Sequence, residues 1–181
     1  MTLTNGLVVM TPSSIAYSGT SASINADGSV DFSAVTSLSL NGVFTSDYDN
    51  YMIVLSGTDS LDDSHYFRLR DAGVNDSTAN SYVRQYLQAT GTSIVGGRIT
   101  SDSGAFSPSS NTPPYGYTVY IFGPYLAQPT GTRSTTVSRS SVIITDWACV
   151  HSVSDSFDGV TIYPGSPATM SGLLTVFGFN Q

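Results

Sequence analysis

Cys149 and His151 are the residues whose types and spacing come nearest to a catalytic pair. They stand two positions apart in the run Asp146–His151, so on a strand both side chains would point to the same face. A cysteine beside a histidine can act as a nucleophile with its general base. No protease signature surrounds the pair, and two positions of one strand rarely give the required hydrogen bond. The pattern therefore favours a small structural cysteine.

Asp59, Asp62, Asp63 and His65 form the densest acidic cluster of the chain. Calcium binds several oxygen ligands, and aspartate-rich loops supply them. The spacing here is not that of a calcium loop, and the chain has only two histidines, too far apart in sequence to indicate zinc. The sequence also contains no nucleophile elbow, P-loop or dinucleotide-binding fingerprint. We therefore predict that the protein is not an enzyme and has no metal or cofactor.

Tyrosines and arginines on alternating strand positions are the candidates for a contact surface. Tyrosine combines apolar area with a polar tip, and the planar guanidinium of arginine pairs well with aspartate across an interface. Two alternatives stay open: the tyrosines pave the core, or the arginines are ordinary surface charge. The candidate interface residues are Arg68, Arg70, Arg84, Tyr82, Tyr86, Tyr115 and Tyr117.

The elements that must position these residues are strands. The 181-residue chain contains no Lys and no Glu, which fill the exposed faces of most helices, and it has 11 Tyr and 8 Phe. Short alternating apolar runs recur between turn signals such as Asp27-Gly28 and Asn41-Gly42. The polar run Arg133–Arg139 is expected at an edge or on an exposed face. We predict an all-β fold, an antiparallel sandwich of about ten strands, jelly-roll-like or immunoglobulin-like.

The pattern favours a single domain. Residues 21–181 are expected to form one β-sandwich, with the longest loop at Ser101–Pro114 and a shorter one at Asp71–Ser81. The first 20 residues are less regular. They are expected either to form an extended N-terminal arm that a neighbouring copy could accept, or to be an ordinary edge strand.

Charge and hydropathy restrict the partners. The formal net charge is −7, with 6 Arg against 13 Asp, whereas binding to phosphate backbones needs clustered basic residues. No apolar run reaches the length of a membrane span, and the first ten residues lack a secretory signal. We therefore expect neither nucleic acid nor a membrane as a partner, and synthesis in a host cytoplasm.

Several short segments of the chain resemble sequences of one protein family. They are Ser39–Phe44 with Tyr48–Val54, Tyr66–Arg70, Phe157–Tyr163 and the closing Gly172–Gln181. These phrases are similar to recurrent sequences of small virion proteins from tailed phages of aquatic bacteria, from about Val35 to the end. The matching residues mark strands and carry no chemistry.

The resemblance implies a non-enzymatic component of a virion, on the capsid exterior or on the tail or fibres. The leading hypothesis is a capsid decoration or cement protein that binds the major capsid protein and stabilises the shell. Because symmetric lattices offer three-fold positions, a homotrimer is expected. The alternative is a tail- or head-fibre-associated module that binds a host receptor or glycan through its tyrosines and the long loop.

Overall fold

The computed structural model describes residues 6–61, 64–102, 104–107, 115–138 and 143–180. They form strands joined by turns, with no helix in these ranges. The strands are β1 (Val8–Val9), β2 (Ser14–Ile24), β3 (Val30–Asn41), β4 (Asn50–Asp59), β5 (His65–Asp71), β6 (Val74–Asn75), β7 (Tyr82–Thr90), β8 (Ser93–Asp102), β9 (Ala105–Ser107), β10 (Tyr115–Phe122), β11 (Gln128–Ser138), β12 (Ile143–Asp155), β13 (Gly159–Pro164) and β14 (Met170–Phe179).

All these strands belong to one antiparallel sheet that curls onto itself. Its order is β6-β5-β13-β3-β14-β4-β10-β11-β12-β7-β8, with β1, β2 and β9 attached to β14, β3 and β5. Strands β5 and β10 are separated by four strands along this path, yet His65 on β5 contacts Tyr117 on β10. The two halves of the sheet therefore face each other as the layers of a sandwich, and the predicted all-β antiparallel fold class is confirmed.

The core lies between these two layers. Apolar side chains alternate inward along each strand, as the period of two requires. The largest side chains that are essentially sealed from solvent include Tyr51, Ile53 and Leu55 of β4, with Leu69 of β5 and Leu174 of β14. Each buried side chain of this size contributes about 1.5–3 kcal/mol relative to exposure.

The Asp27-Gly28 turn joins paired strands, as predicted. The backbone N–H of Asn25 donates to the carbonyl of Ser29 at 2.8 Å, closing the β2–β3 hairpin. Further along, the register shifts between Ser18 and Gly19. Gly19 has a φ of +137°, and a Cβ there would lie 2.2 Å from the carbonyl oxygen of Ala34. Only glycine fits this bulge.

The Asn41-Gly42 turn ends β3, as its residues predict, with a φ of +65° at Gly42, but it does not close a hairpin, because β14 lies between β3 and β4. For the polar run Arg133–Arg139 the edge alternative is wrong, whereas the exposed-face alternative holds for the outward side chains Arg133 and Thr135. The polar strand β11 is not at an edge, since it pairs with both β10 and β12. Its inward hydroxyls are buried: Thr130, Thr132, Ser134 and Thr136.

The N-terminal segment pairs within its own chain. Val8 and Val9 lie opposite Gly178 and Phe177 of β14, and β2 pairs with β3 from Ser14 to Ile24. Residues 6–24 therefore form edge strands of the sheet, which is the second of the two alternatives for this segment. Residues 1–5 lie outside the described residues, and exchange of an arm between copies stays a prediction.

Candidate functional site

A buried polar cluster joins β4, β5 and β10 in the core. The His65 side chain is fully buried, with Nε2 3.1 Å from Asp59 Oδ1 and Nδ1 3.1 Å from the Tyr117 hydroxyl. The Tyr115 hydroxyl donates to Asp59 Oδ1 at 2.9 Å. Burial raises the pKa of Tyr115 and of Tyr117, and the Asp59 carboxylate raises both further. These tyrosines therefore stay neutral and serve as hydrogen-bond partners of the cluster.

A second polar cluster ties the 71–81 loop to the core. His151 Nε2 lies 2.9 Å from Asp76 Oδ2, and the His151 ring packs 4.6 Å from the Tyr82 ring. The Tyr82 hydroxyl donates to the carbonyl of Asp76 at 3.3 Å. Burial raises the pKa of the Asp76 carboxyl, but hydrogen bonds from Thr78 and the nearby His151 outweigh it, so the net shift is downward. Asp76 is thus held as an anion against a buried histidine.

The candidate arginines are largely interior rather than on exposed strand faces. Arg84 is 7% exposed, lies over the rings of Tyr66 and Trp147, and pairs with Asp102 at 2.7 Å. Arg70 is 5% exposed and donates to Thr161 at 2.6 Å. Its further partners are Asn75, through Oδ1 at 2.9 Å, and the carbonyl of Gly73.

The tyrosines follow the same pattern. Tyr82, Tyr115 and Tyr117 are buried, which is the core alternative of the sequence analysis. The prediction that they form a contact patch is wrong for the isolated chain, because these three side chains point to the inner face of the sheet, which the opposite layer covers. Tyr86 is half-buried, packed 4.6 Å from Trp147. Arg68 is half-buried over the Tyr163 ring. A role for Tyr86 and Arg68 in an interface stays a prediction.

Cys149 and His151 do share the inner face of β12, as their spacing predicts. Burial raises the pKa of the Cys149 thiol to about 12, against a weaker lowering by Arg84. A thiol that stays protonated is a poor nucleophile. Among residues 6–61, 64–102, 104–107, 115–138 and 143–180, no three His, Cys or Asp side chains are grouped to hold a metal. Asp62 and Asp63 of the acidic cluster lie outside these ranges.

The outer face of the sheet carries an exposed aromatic surface that the sequence pattern did not predict. We call the outer aromatic patch the set Met52, Tyr120, Phe122, Phe177 and Phe179, which lie on the outward faces of β4, β10 and β14. Tyr120 and Phe122 are 41% and 38% exposed. Their rings stack 6.5 Å apart, and the Phe179 ring meets Tyr120 edge-on at 6.4 Å. Alternation in Tyr115–Phe122 separated an inner from an outer set, but only the curl shows which set faces solvent.

An exposed ion pair adjoins this patch. Arg133 lies opposite Tyr120 on the neighbouring strand, and its guanidinium donates to both carboxylate oxygens of Asp146, at 3.1 and 2.6 Å. This bond raises the pKa of Arg133. The pair borders an open groove of about 370 Å³ lined also by Gln85, Leu87 and Ala148.

Comparison with known proteins finds similar structures among lectins but no related sequence. No family model and no curated protein matches the chain. Peanut lectin, solved with a nine-residue peptide, is 9% identical over 90% of each chain with a TM-score of 0.34. Lectin II from Ulex europaeus is 14% identical over 96% of each chain with a TM-score of 0.38. The described residues contain no helix able to cross a membrane.

Proposed function

We propose that this chain is a non-enzymatic structural protein of a phage virion that docks onto another virion protein through its outer sheet face. In the leading form of the proposal it is a capsid decoration protein on the shell exterior, held by the major capsid protein. The observation that carries the proposal is the outer aromatic patch. The resemblance of the sequence to small phage virion proteins is the reason for proposing a phage virion as the assembly to which the chain belongs.

The composition of the outer face supports a protein partner. Centres of protein interfaces are enriched in Tyr, Phe, Met and Arg and depleted in Lys and Glu. The outer aromatic patch, with Arg133 beside it, has this composition. Two of its rings, Tyr120 and Phe122, are 41% and 38% exposed, whereas the sites of small molecules bury most of the ligand between apolar side chains.

Binding to undecorated capsids tests this proposal. The double variant Tyr120→Ser/Phe122→Ser removes two exposed rings without touching the core, and should weaken co-sedimentation with capsids by about tenfold or more. Tyr17→Ser is the matched control, because Tyr17 is 44% exposed on the distant strand β2. Decoration by wild type should also raise the thermal stability of the capsid, by mass action. Equal binding by both variants, or no binding by wild type, would refute the proposal.

Glycan binding at a tail or head fibre is the second candidate function. It is favoured by the groove that the Arg133 guanidinium and the Asp146 carboxylate line together with Tyr86. A glycan array probed with wild type and with Arg133→Ala/Asp146→Ala distinguishes the two functions. A hit that this variant abolishes would favour the fibre module. If wild type binds no glycan on the array, the glycan-binding function is excluded.

A further inference from the structure

The last strand of the sheet, β8, presents a free edge. Within the described residues it pairs only with β7, in an unbroken register from Thr90 opposite Ser93 to Arg84 opposite Ile99. Its other side therefore offers a row of backbone N–H and C=O groups. Such a row is satisfied by water or by another extended strand.

This edge lacks the protection that the other edges have. The edge strand β2 is broken by the bulge at Gly19, and β1, β6 and β9 are two, two and three residues long. The run Ser93–Ile99 has no proline, no lysine and no register shift. It instead exposes apolar side chains, with Ile94 76% and Val95 50% accessible. A long, unblocked, apolar edge is the arrangement that pairs with another strand.

The shape of β8 fits a second copy of itself. In an antiparallel pair centred at Val95, Ile94 of each copy would lie opposite Gly96 of the other. Gly96 has no side chain, and beside it lies the Leu87 side chain, whose Cδ2 would be 3.3 Å from a Cβ at that glycine. Leu87 is 59% exposed. The side chain of each Ile94 would thus pack over Gly96 of the other copy and against the Leu87 side chain beside it.

Charge permits the same pairing. The only formal charge between Ser93 and Ile99 is Arg98. With Val95 at the centre, the two Arg98 residues stand six positions apart along the pair, about 20 Å. This exceeds the Debye length of about 8 Å at physiological salt, so their repulsion is screened.

We propose that two copies of this chain associate through an antiparallel β8–β8 pair, which continues the sheet and its outer face from one copy to the next. The pairing uses the β8 edge of each copy once and leaves neither β8 edge open, as a two-fold contact does. The paired segment, Ser93–Gly97 of each copy, is about 17 Å long and covers less than a standard interface, so the free dimer should be weak. This inference goes beyond the proposed function and does not depend on it.

Sedimentation equilibrium of the purified full chain, together with cross-linking, tests the pairing. Wild type should show a concentration-dependent monomer–dimer equilibrium. Ile94→Lys should weaken it about tenfold or more, by placing a charge in the apolar contact. Val150→Lys is the matched control, because Val150 is 45% exposed on β12, which β7 separates from β8. Val95→Cys should be joined to its counterpart by a short bis-maleimide, with wild type as the control, since Cys149 is buried.

The outcomes separate cleanly. Dimers in wild type and Val150→Lys, monomers in Ile94→Lys and efficient cross-linking of Val95→Cys establish the pair. A wild type that stays monomeric at all concentrations, dimers that Ile94→Lys leaves unchanged, or no cross-linked dimer of Val95→Cys would each overturn it. A trimer, the expectation from the sequence, would overturn it as well.

Discussion

The hydroxyl of Tyr82 accepts a hydrogen bond from the backbone N–H of Leu69 at 3.0 Å, across the inside of the sandwich. Leu69 lies on β5, near one end of the sheet, and Tyr82 lies on β7, near the other. The Tyr82 side chain thus links the two ends of the curled sheet, because its hydroxyl is the hydrogen-bond partner of a backbone N–H of β5. The same hydroxyl donates to Asp76, so the 71–81 loop is held at this junction.

Tyr82→Phe should destabilise the fold by about 1–3 kcal/mol, because it leaves the buried N–H of Leu69 without a partner. Urea unfolding followed by fluorescence measures the loss. Tyr120→Phe serves as the control, since its hydroxyl belongs to an exposed residue, and should change stability by less than about 0.5 kcal/mol. Equal stability of the two variants would contradict the bridging role of Tyr82.

Asp59→Ala should lower the free energy of unfolding by about 2–4 kcal/mol. It removes the hydrogen-bond acceptor of Tyr115 and the neighbour of His65, and both buried polar groups then lack a partner at this position. Asp71→Ala, at an exposed position of β5, is the matched control and should be nearly neutral. Chemical denaturation of both variants at neutral pH makes the comparison. A small effect of Asp59→Ala would mean that water satisfies the cluster.

Acid stability should depend on Asp76. Its pKa in the folded chain lies below the usual 3.8, so the carboxylate stabilises the folded state. That contribution is complete above the usual pKa and is lost as the pH falls through the depressed one. Asp76→Asn should therefore flatten the decline of stability below about pH 4. Unfolding free energies measured across this range check the prediction, and a profile parallel to wild type would contradict it.

Alkaline pH should unfold the protein through its buried tyrosines. Burial raises the pKa of Tyr82, Tyr115 and Tyr117 above the usual 10.0. A raised pKa means that stability is complete below pH 10 and is lost as the pH rises through the folded values. Tyrosinate absorbance from these three buried side chains should thus develop only with loss of structure. Titration of all tyrosines in one phase before unfolding would be inconsistent with this burial.

Cys149 should be inert in the native protein. Its side chain is 5% exposed and burial raises its pKa to about 12, so both access and thiolate are lacking. A thiol reagent should label the native chain far more slowly than the chain in denaturant. Equal rates would show that the inner face of β12 is open to solvent.

Composition and alternation determined the fold class of this protein. A chain rich in Tyr, Phe, Ser and Thr and devoid of Lys and Glu favours strands locally, and local preferences do not depend on which strands become neighbours. The Asp27-Gly28 hairpin was predictable for the same reason, since its two strands are adjacent in the chain. Strand β8 was missed because Gly96-Gly97 interrupts its alternation. The glycine at 97 leaves room for the Tyr86 ring, which would lie 2.5 Å from a Cβ at that position.

Only the tertiary structure decided which face of each strand meets solvent. The alternation in Tyr115–Phe122 separates Tyr115 and Tyr117 from Tyr120 and Phe122, but both sets are aromatic, so the sequence alone does not tell inside from outside. The curl of the sheet does, because it brings β5 against β10 and buries Tyr117 beside His65. The same long-range closure buries Arg70 and Arg84 and leaves the outer aromatic patch exposed. Sidedness is a property of contacts between strands distant in sequence, which local pattern does not encode.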